Sequence, residues 1–364
     1  MTWRVHNFNP GPAALPLPVL EQVQRDLLDF AGTGMSMLEM SHRSPTYEQL
    51  HNQTIADLRT LLGGTEEHAI LFMGGGAQMQ FALVALNLLP PVAYAEYLVT
   101  GVWSDTALRE ARKIGDVRVL WSSATTAHTR IPAPGEFQVD AGAAYLHYTS
   151  NNTIVGTQYT YIPASRDVPL VCDMSSDLLS RPVDLARYGL IYAGAQKNLG
   201  PAGVTVVIIR RDLLARCRPD LPSTMSYAQM AAHNSLLNTP PVFAIYVAGL
   251  VVQHLLAQGG LAAAAARNRE KAALLYARLD SSAGFYRGWA QPESRSCMNV
   301  TFRLPTPALE ARFVAESTHA GLIGLAGHRT IGGIRASLYN AVSMEAVRAL
   351  VAFMEDFQRR YACL

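Results

Sequence analysis

With 364 residues, 49% apolar and 16% charged, the chain is long enough to bury a large core beside a smaller unit and too apolar to be disordered. A formal net charge of +2 gives no chain-wide attraction for nucleic acid or an anionic membrane, so any anion recognition must be local. Four cysteines, at 172, 217, 297 and 363, have neither metal-ligand nor disulfide-framework spacing, so free thiols, no metal site and a reducing, cytoplasmic compartment are expected.

The chain opens without an apolar run behind a basic start, and export is not expected. The segment FNPGPA at 8–13 suits a rigid extended stretch, either lining a cleft or lying on the surface as a plain arm. Leu17, Leu20, Val23, Leu27 and Phe30 recur at helical spacing behind two prolines, and 47–62 repeats that pattern until Gly63 and Gly64 stop it, so both are read as surface helices. Strands are predicted at 69–73, 92–99, 117–121, 143–149, 168–173, 190–193 and 204–210, with helical stretches between several of them. That alternation predicts an α/β unit built on a mainly parallel sheet.

The uncharged stretch 222–266 is most apolar at 242–256, shorter than the roughly 20 residues of a membrane span. It is read as a buried helix at a domain or subunit contact. Asn238 and Thr239, ahead of two prolines, read locally as a helix N-cap. After Gly259 and Gly260 come a predicted Ala-rich helix (261–280), a strand (298–304), a helix (307–320), a strand (334–338) and a last helix (343–361), the texture of a separate α+β domain. The expected division is an arm at 1–15 that lines the cleft and packs with the small domain, a large domain at 16–258 and a small one at 259–364.

Chemistry concentrates at 193–203 (AGAQKNLGPAG), where Lys197 stands in a tight Gly-rich loop. Upstream, Asp173 closes the apolar run VPLVCD at 168–173. A strand-end carboxylate followed by such a lysine is what pyridoxal-phosphate chemistry needs, an amine to hold the aldehyde and an anion to keep the pyridine nitrogen protonated. The segment LFMGGGAQMQF at 71–81 reads as strand, glycine turn and helix start, which aims backbone N–H groups and a helix N-terminus at an anion. It lacks the Lys-Ser/Thr of a nucleotide P-loop and the spacing of a dinucleotide fingerprint. Trp103 falls where a strand meets a helix, placed either to stack on a ring or to fill the core. Thr153, just after a strand, could reach the same pocket or shape a turn. His42 with Arg43, His328 with Arg329, and Arg335 after two glycines suit carboxylate and phosphate recognition.

Taken together, FNPGP at 8–12, SHRS at 41–44, YAGAQKNLGPAG at 192–203 and GHRTIGGIRASLYNA at 327–341 resemble the phosphoserine aminotransferase family, essentially from end to end. The resemblance implies a fold-type I subunit with pyridoxal 5′-phosphate between its two domains, working as a homodimer with shared active sites. It implies that Lys197 holds the cofactor's aldehyde carbon, Asp173 pairs with the ring nitrogen, Trp103 stacks on the ring and Thr153 bonds the ring's 3-oxygen. Gly76, Ala77, Gln78 and Gln196 would surround the phosphate, with Asn238 and Thr239 reaching it from the partner subunit. Arg335 would clamp the substrate α-carboxylate, and His42, Arg43, His328 and Arg329 would recognise the distal anion.

The implied reaction transfers the amino group of L-glutamate to 3-phosphohydroxypyruvate in serine biosynthesis. In a bacterium it would extend to 3-hydroxy-2-oxo-4-phosphonooxybutanoate in pyridoxine biosynthesis. Gln78 and Pro45 stand where members of the family vary. Two alternatives are another transaminase or lyase of the same fold and a non-catalytic anion-binding α/β protein.

Overall fold

The structure is a computed structural model that describes residues 4–362. Its elements begin with β1 (His6–Asn7), α1 (Leu17–Arg25) and α2 (Pro45–Leu62). Ser44 caps α2, its hydroxyl accepting the Tyr47 N–H at 3.2 Å, Pro45 occupies the first turn, and Gly63 ends the helix at φ +64°. The first helix is shorter than its periodicity predicts. Beyond Arg25 the chain turns, with Thr33 donating its hydroxyl to the Phe30 carbonyl and Gly34 donating its N–H to Asp29. These local bonds compete with helix continuation and leave Leu28 84% exposed.

Strand and helix then alternate through β2 (His68–Met73), α3 (Gly76–Leu88), β3 (Tyr94–Val99), α4 (Val102–Arg112) and β4 (Asp116–Ser122). There follow β5 (Leu146–Thr149), a hairpin of β6 (Asn151–Asn152) and β7 (Thr157–Gln158), β8 (Leu170–Asp173), β9 (Leu190–Gly194) and β10 (Thr205–Arg210). Seven of these strands form one sheet in the order β2-β10-β9-β8-β5-β3-β4. It is parallel from β9 to β4, while β10 runs antiparallel to both β9 and β2. The antiparallel strand is legible only in the pairing, because a strand buried on both faces reads the same in either direction.

After the short helices α5 (Arg211–Leu214) and α6 (Tyr227–Ala232), α7 (Val242–Ala257) is apolar nearly all round and buried, as expected, packing on α2. It bends by 84° into α8 (Gly260–Asp280), and no single helix among the described residues is long and apolar enough to cross a membrane. Asn238 and Thr239 do not cap α7: Pro241 stands at the N-cap, and the two side chains are exposed.

The C-terminal part adds β11 (Arg287–Gly288), β12 (Asn299–Arg303), α9 (Pro307–His319), β13 (Leu322–Ile323), β14 (Ile334–Ser337) and α10 (Met344–Tyr361). β11, β12 and β14 make a second, antiparallel sheet, and β1 pairs in parallel with β13. Its apolar cluster, with Phe302, Phe313 and Phe357, also takes in Phe8 from the N-terminal segment. Cys172, Cys217 and Cys297 carry free thiols, while Cys363 lies outside the described residues.

Polar side chains tie the two sheets together. Asn198 accepts the Asn340 N–H at 3.0 Å, and Asn340 bonds both Leu179 and Asn268. Lys271, 2% exposed, donates to the carbonyls of Leu338, Tyr339 and Val342 at 2.8–3.0 Å. Removing that donor strands buried acceptors, each costing about 1–3 kcal/mol. Lys271→Met is therefore expected to lower unfolding stability by about 2–4 kcal/mol in urea melts, whereas an exposed change such as Arg269→Met should stay within about 0.5 kcal/mol.

Candidate active site

Two clefts stand out. The larger, about 860 Å³, lies among the N-terminal segment, α7, α8 and α10 and holds none of the residues singled out for cofactor chemistry. The smaller, about 440 Å³, gathers Gly76, Ala77, Gln78, Trp103, Thr153, Asp173, Gln196, Lys197, His328 and Arg335. Convergent chemistry, rather than size, makes the smaller cleft the candidate site.

Its position follows from the topology. β2, β3, β5, β8 and β9 all end at this edge of the sheet, so the segment after each strand contributes side chains or N–H groups, as at the carboxyl ends of open α/β sheets. After β2 the chain turns through Gly75 at φ +83° and Gly76 at φ +68° into α3, whose first turn faces the cleft. The free N–H groups there and the helix dipole suit an anion, with no side chain needed from Gln78.

After β3 comes Trp103, whose indole N–H donates to Thr153 Oγ1 at 3.0 Å. That bond uses the oxygen as acceptor and leaves the Thr153 hydroxyl hydrogen free. It also places the indole in the cleft wall rather than deep in the core.

Asp173 ends β8 in register with Thr149 of β5 and Tyr192 of β9. It is 5% exposed, and its Oδ1 accepts the Ser175 N–H at 2.9 Å. Burial raises its pKa, opposed chiefly by the nearby Lys197 charge. Lys197, in the turn after β9, makes no ion pair or hydrogen bond among the described residues, and burial pushes its amine below the ordinary lysine range against the pull of Asp173. A buried carboxylate and a half-buried amine share the cleft without pairing, an arrangement suited to a ligand carrying both a cationic ring nitrogen and an electrophilic carbon. Gly11 packs over Lys197: a Cβ there would stand 3.4 Å from Lys197 Cγ.

Arg335 comes from β14, 6% exposed, with one guanidinium N–H donated to the Thr153 carbonyl at 3.2 Å and its Nε without a partner. Burial is the main influence lowering its pKa, so the site favours an anionic ligand. His328 lines the cleft with Nδ1 2.8 Å from the Thr330 hydroxyl. Burial leads the influences that depress it, followed by Arg335 and Arg329, while Arg329 itself is exposed outside the cleft.

His42, Arg43, Asn238 and Thr239 also lie outside it. Arg43, Asn238 and Thr239 are exposed, and His42 Nε2 is buried without a partner.

Thr149, Asn151, Ser175 and Ser176, which stand in no recognisable motif, also line the cleft. Their signal was position, since they border the strand ends that carry Thr153 and Asp173. Asn151 bonds Ser176 and, across to the second sheet, Asn299. Behind them Asp177 is fully buried, accepting from Ser150, Gln158 and Arg181. Unpartnered buried atoms on the wall, a glycine turn into a helix and a strand-end carboxylate together fit pyridoxal phosphate.

The class-V aminotransferase family model matches residues 5–350. A phosphoserine aminotransferase of Geobacillus kaustophilus is 52% identical over 359 residues, covering 99% of both chains. One of Desulfatibacillum aliphaticivorans is 53% identical, covering 98% of this chain and 99% of its own. Among solved structures, the phosphoserine aminotransferase of Bacillus circulans subsp. alkalophilus superposes with a TM-score of 0.97 at 50% identity, covering 98% of this chain and 99% of its own. The pyridoxal-phosphate-bound phosphoserine aminotransferase of Trichomonas vaginalis gives 0.92 at 38% identity, over 97% and 100% of the two chains.

The glycine turn can be tested separately from chemistry. At Gly75 a Cβ would sit 2.8 Å from Met79 Cβ on a left-handed backbone. Gly75→Ala is expected to cost about 1–3 kcal/mol of stability in urea melts, more than Gly74→Ala, where the backbone is not left-handed and no atom stands within 4 Å of the added Cβ.

Proposed function

The chain belongs to the class-V aminotransferases, and we propose that the cleft between Asp173 and Arg335 is where it acts as a phosphoserine aminotransferase. It is a pyridoxal 5′-phosphate enzyme that exchanges an amino group between L-glutamate and 3-phosphohydroxypyruvate, giving 2-oxoglutarate and O-phospho-L-serine. The observation that carries the assignment to this cleft is the unpaired Lys197 amine sharing a cleft wall with Asp173.

When bound, the cofactor supplies an aldehyde that takes up the amino group and a protonated ring that draws off electron density as the substrate α-proton leaves. The protein's own residues do the rest. Asp173, fixed by Ser175, would hold the proton on the ring nitrogen. Lys197, kept below the usual lysine range by burial, offers a larger neutral fraction near pH 7 and would carry the cofactor, then move the proton at the substrate α-carbon. Gly76, Ala77 and Gln78, with Gln196, would bind the phosphate, and Trp103 would cover the ring. Arg335 would take the substrate α-carboxylate, which offers acceptors for its free Nε. His328 would bind the distal anion, with Arg329 at the rim.

His42, Arg43, Asn238 and Thr239 do not line the cleft of their own subunit, which supports a homodimer in which each subunit lends them to its partner's site. The residues would divide into an arm at 1–15, a large domain at 16–258 and a small domain at 259–364, with the cleft between the last two. A cytoplasmic location suits the three free thiols.

Three measurements bear on this. The purified protein should show a yellow absorption band that O-phospho-L-serine bleaches and L-alanine does not; response to alanine alone would mean a different transaminase. Lys197→Ala should abolish turnover, a loss of at least about a thousandfold, with the far-ultraviolet circular dichroism unchanged; full turnover would remove Lys197 from the chemistry. Lys197→Ala and Arg43→Ala subunits, each impaired alone, should recover part of the activity when refolded together, because one mixed site is then intact. No recovery would argue against shared sites.

A further inference from the structure

One cleft residue has no role in the reaction as described. Thr149 ends β5, is 2% exposed, lines the cleft, and its Oγ1 is buried without a hydrogen-bond partner. A buried hydroxyl left unpaired destabilises the fold, and valine would match its shape without that cost. Its register partner on β8 is Asp173, and four residues further along the chain stands Thr153, so Thr149 belongs to the wall that runs from the carboxylate to the second hydroxyl. Thr153 Oγ1 already accepts from Trp103. Two hydroxyl hydrogens, those of Thr149 and Thr153, therefore belong to one wall with no acceptor in the protein.

The constitution of pyridoxal phosphate narrows what they meet. With the ring nitrogen at Asp173, the aldehyde carbon at Lys197 and the phosphate at the start of α3, the edge left for this wall carries the 2-methyl group and the ring's 3-oxygen, and of the two only the anionic oxygen can accept a hydrogen bond. We propose that the Thr149 hydroxyl is a cofactor-binding group that donates, beside Thr153, to the oxygen on the pyridine ring. The inference rests on the pyridoxal-phosphate site described above and adds a residue to it. A hydrogen bond to a charged acceptor in a dry pocket strengthens binding by roughly ten- to a hundredfold, while the same hydroxyl is only a burden on the empty protein.

The test separates these two effects. Protein stripped of cofactor is titrated with pyridoxamine 5′-phosphate, which has the ring oxygen and no aldehyde, so Lys197 contributes no covalent bond. Thr149→Val is expected to weaken binding about tenfold or more, and Thr149→Ser, which keeps the hydroxyl, to stay within about threefold. The thermal midpoint of cofactor-free Thr149→Val should equal or exceed that of the wild type. Equal binding by wild type and Thr149→Val would overturn the proposal. So would equal weakening by the valine and serine variants, which would assign the effect to shape, or a fall in the cofactor-free midpoint of Thr149→Val, which would make the hydroxyl a structural group. A wild-type protein that fails to bind pyridoxal 5′-phosphate at all would instead remove the site itself, and Thr149 with it.

Discussion

A carboxylate and an amine held in one cleft wall without touching are the constraint on which the site depends. Each is fixed from its own strand end. Asp173 is held at the end of β8 by the Ser175 N–H, while Lys197 sits in the turn that follows β9. Burial raises the carboxylate pKa and lowers that of the amine, so both are pushed toward their neutral forms. A ligand that brings a positive ring nitrogen and an electrophilic carbon relieves both effects.

Such a wall requires a rigid support. The strands behind it are buried on both faces, and behind the loops after β5 and β8 the Asp177 carboxylate gathers Ser150, Gln158 and Arg181. Asn151 carries the same network across to Asn299 of β12. Polar groups inside a core are costly unless satisfied, and most of this network is paired within the protein. Of the buried polar atoms without a partner among the described residues, two belong to residues that line the cleft. Thr149 Oγ1 and Arg335 Nε lack partners where the wall meets the cleft.

The second sheet completes the cleft from the far side. Arg335 reaches Thr153 from 182 residues away, and His328 lies in the loop that leads into its strand. The junction is set by Asn198, Asn268 and Asn340, with Lys271 holding the 338–342 segment that carries Asn340, and Asn198 is the neighbour of Lys197. The turn that presents the amine is thus fastened to the same junction that carries the arginine, so the placement of the second sheet and the geometry of Lys197 depend on each other.

Much of this was legible in the sequence because it is local. The strand, glycine turn and helix at 71–81 and the aspartate closing an apolar run each need only neighbouring residues to be recognised, as does the Gly63-Gly64 stop of α2. The first helix was read too long, since helical spacing at Leu27 and Phe30 outlasted the helix, whose end is set by Thr33 and Asp29 bonding the backbone. Asn238 resembled a cap because proline follows, yet the chain enters α7 at Pro241. By itself, then, the sequence determined the chemistry available: an amine, an anion, a glycine turn into a helix start and a set of arginines. Only the tertiary structure decided which of them meet. It placed Arg335 beside Thr153, kept Arg43 and Asn238 out of their own cleft, and brought Thr149 level with Asp173. Those outcomes depend on strand order and register, which arise from pairing between residues far apart in the chain and leave no mark on the local pattern.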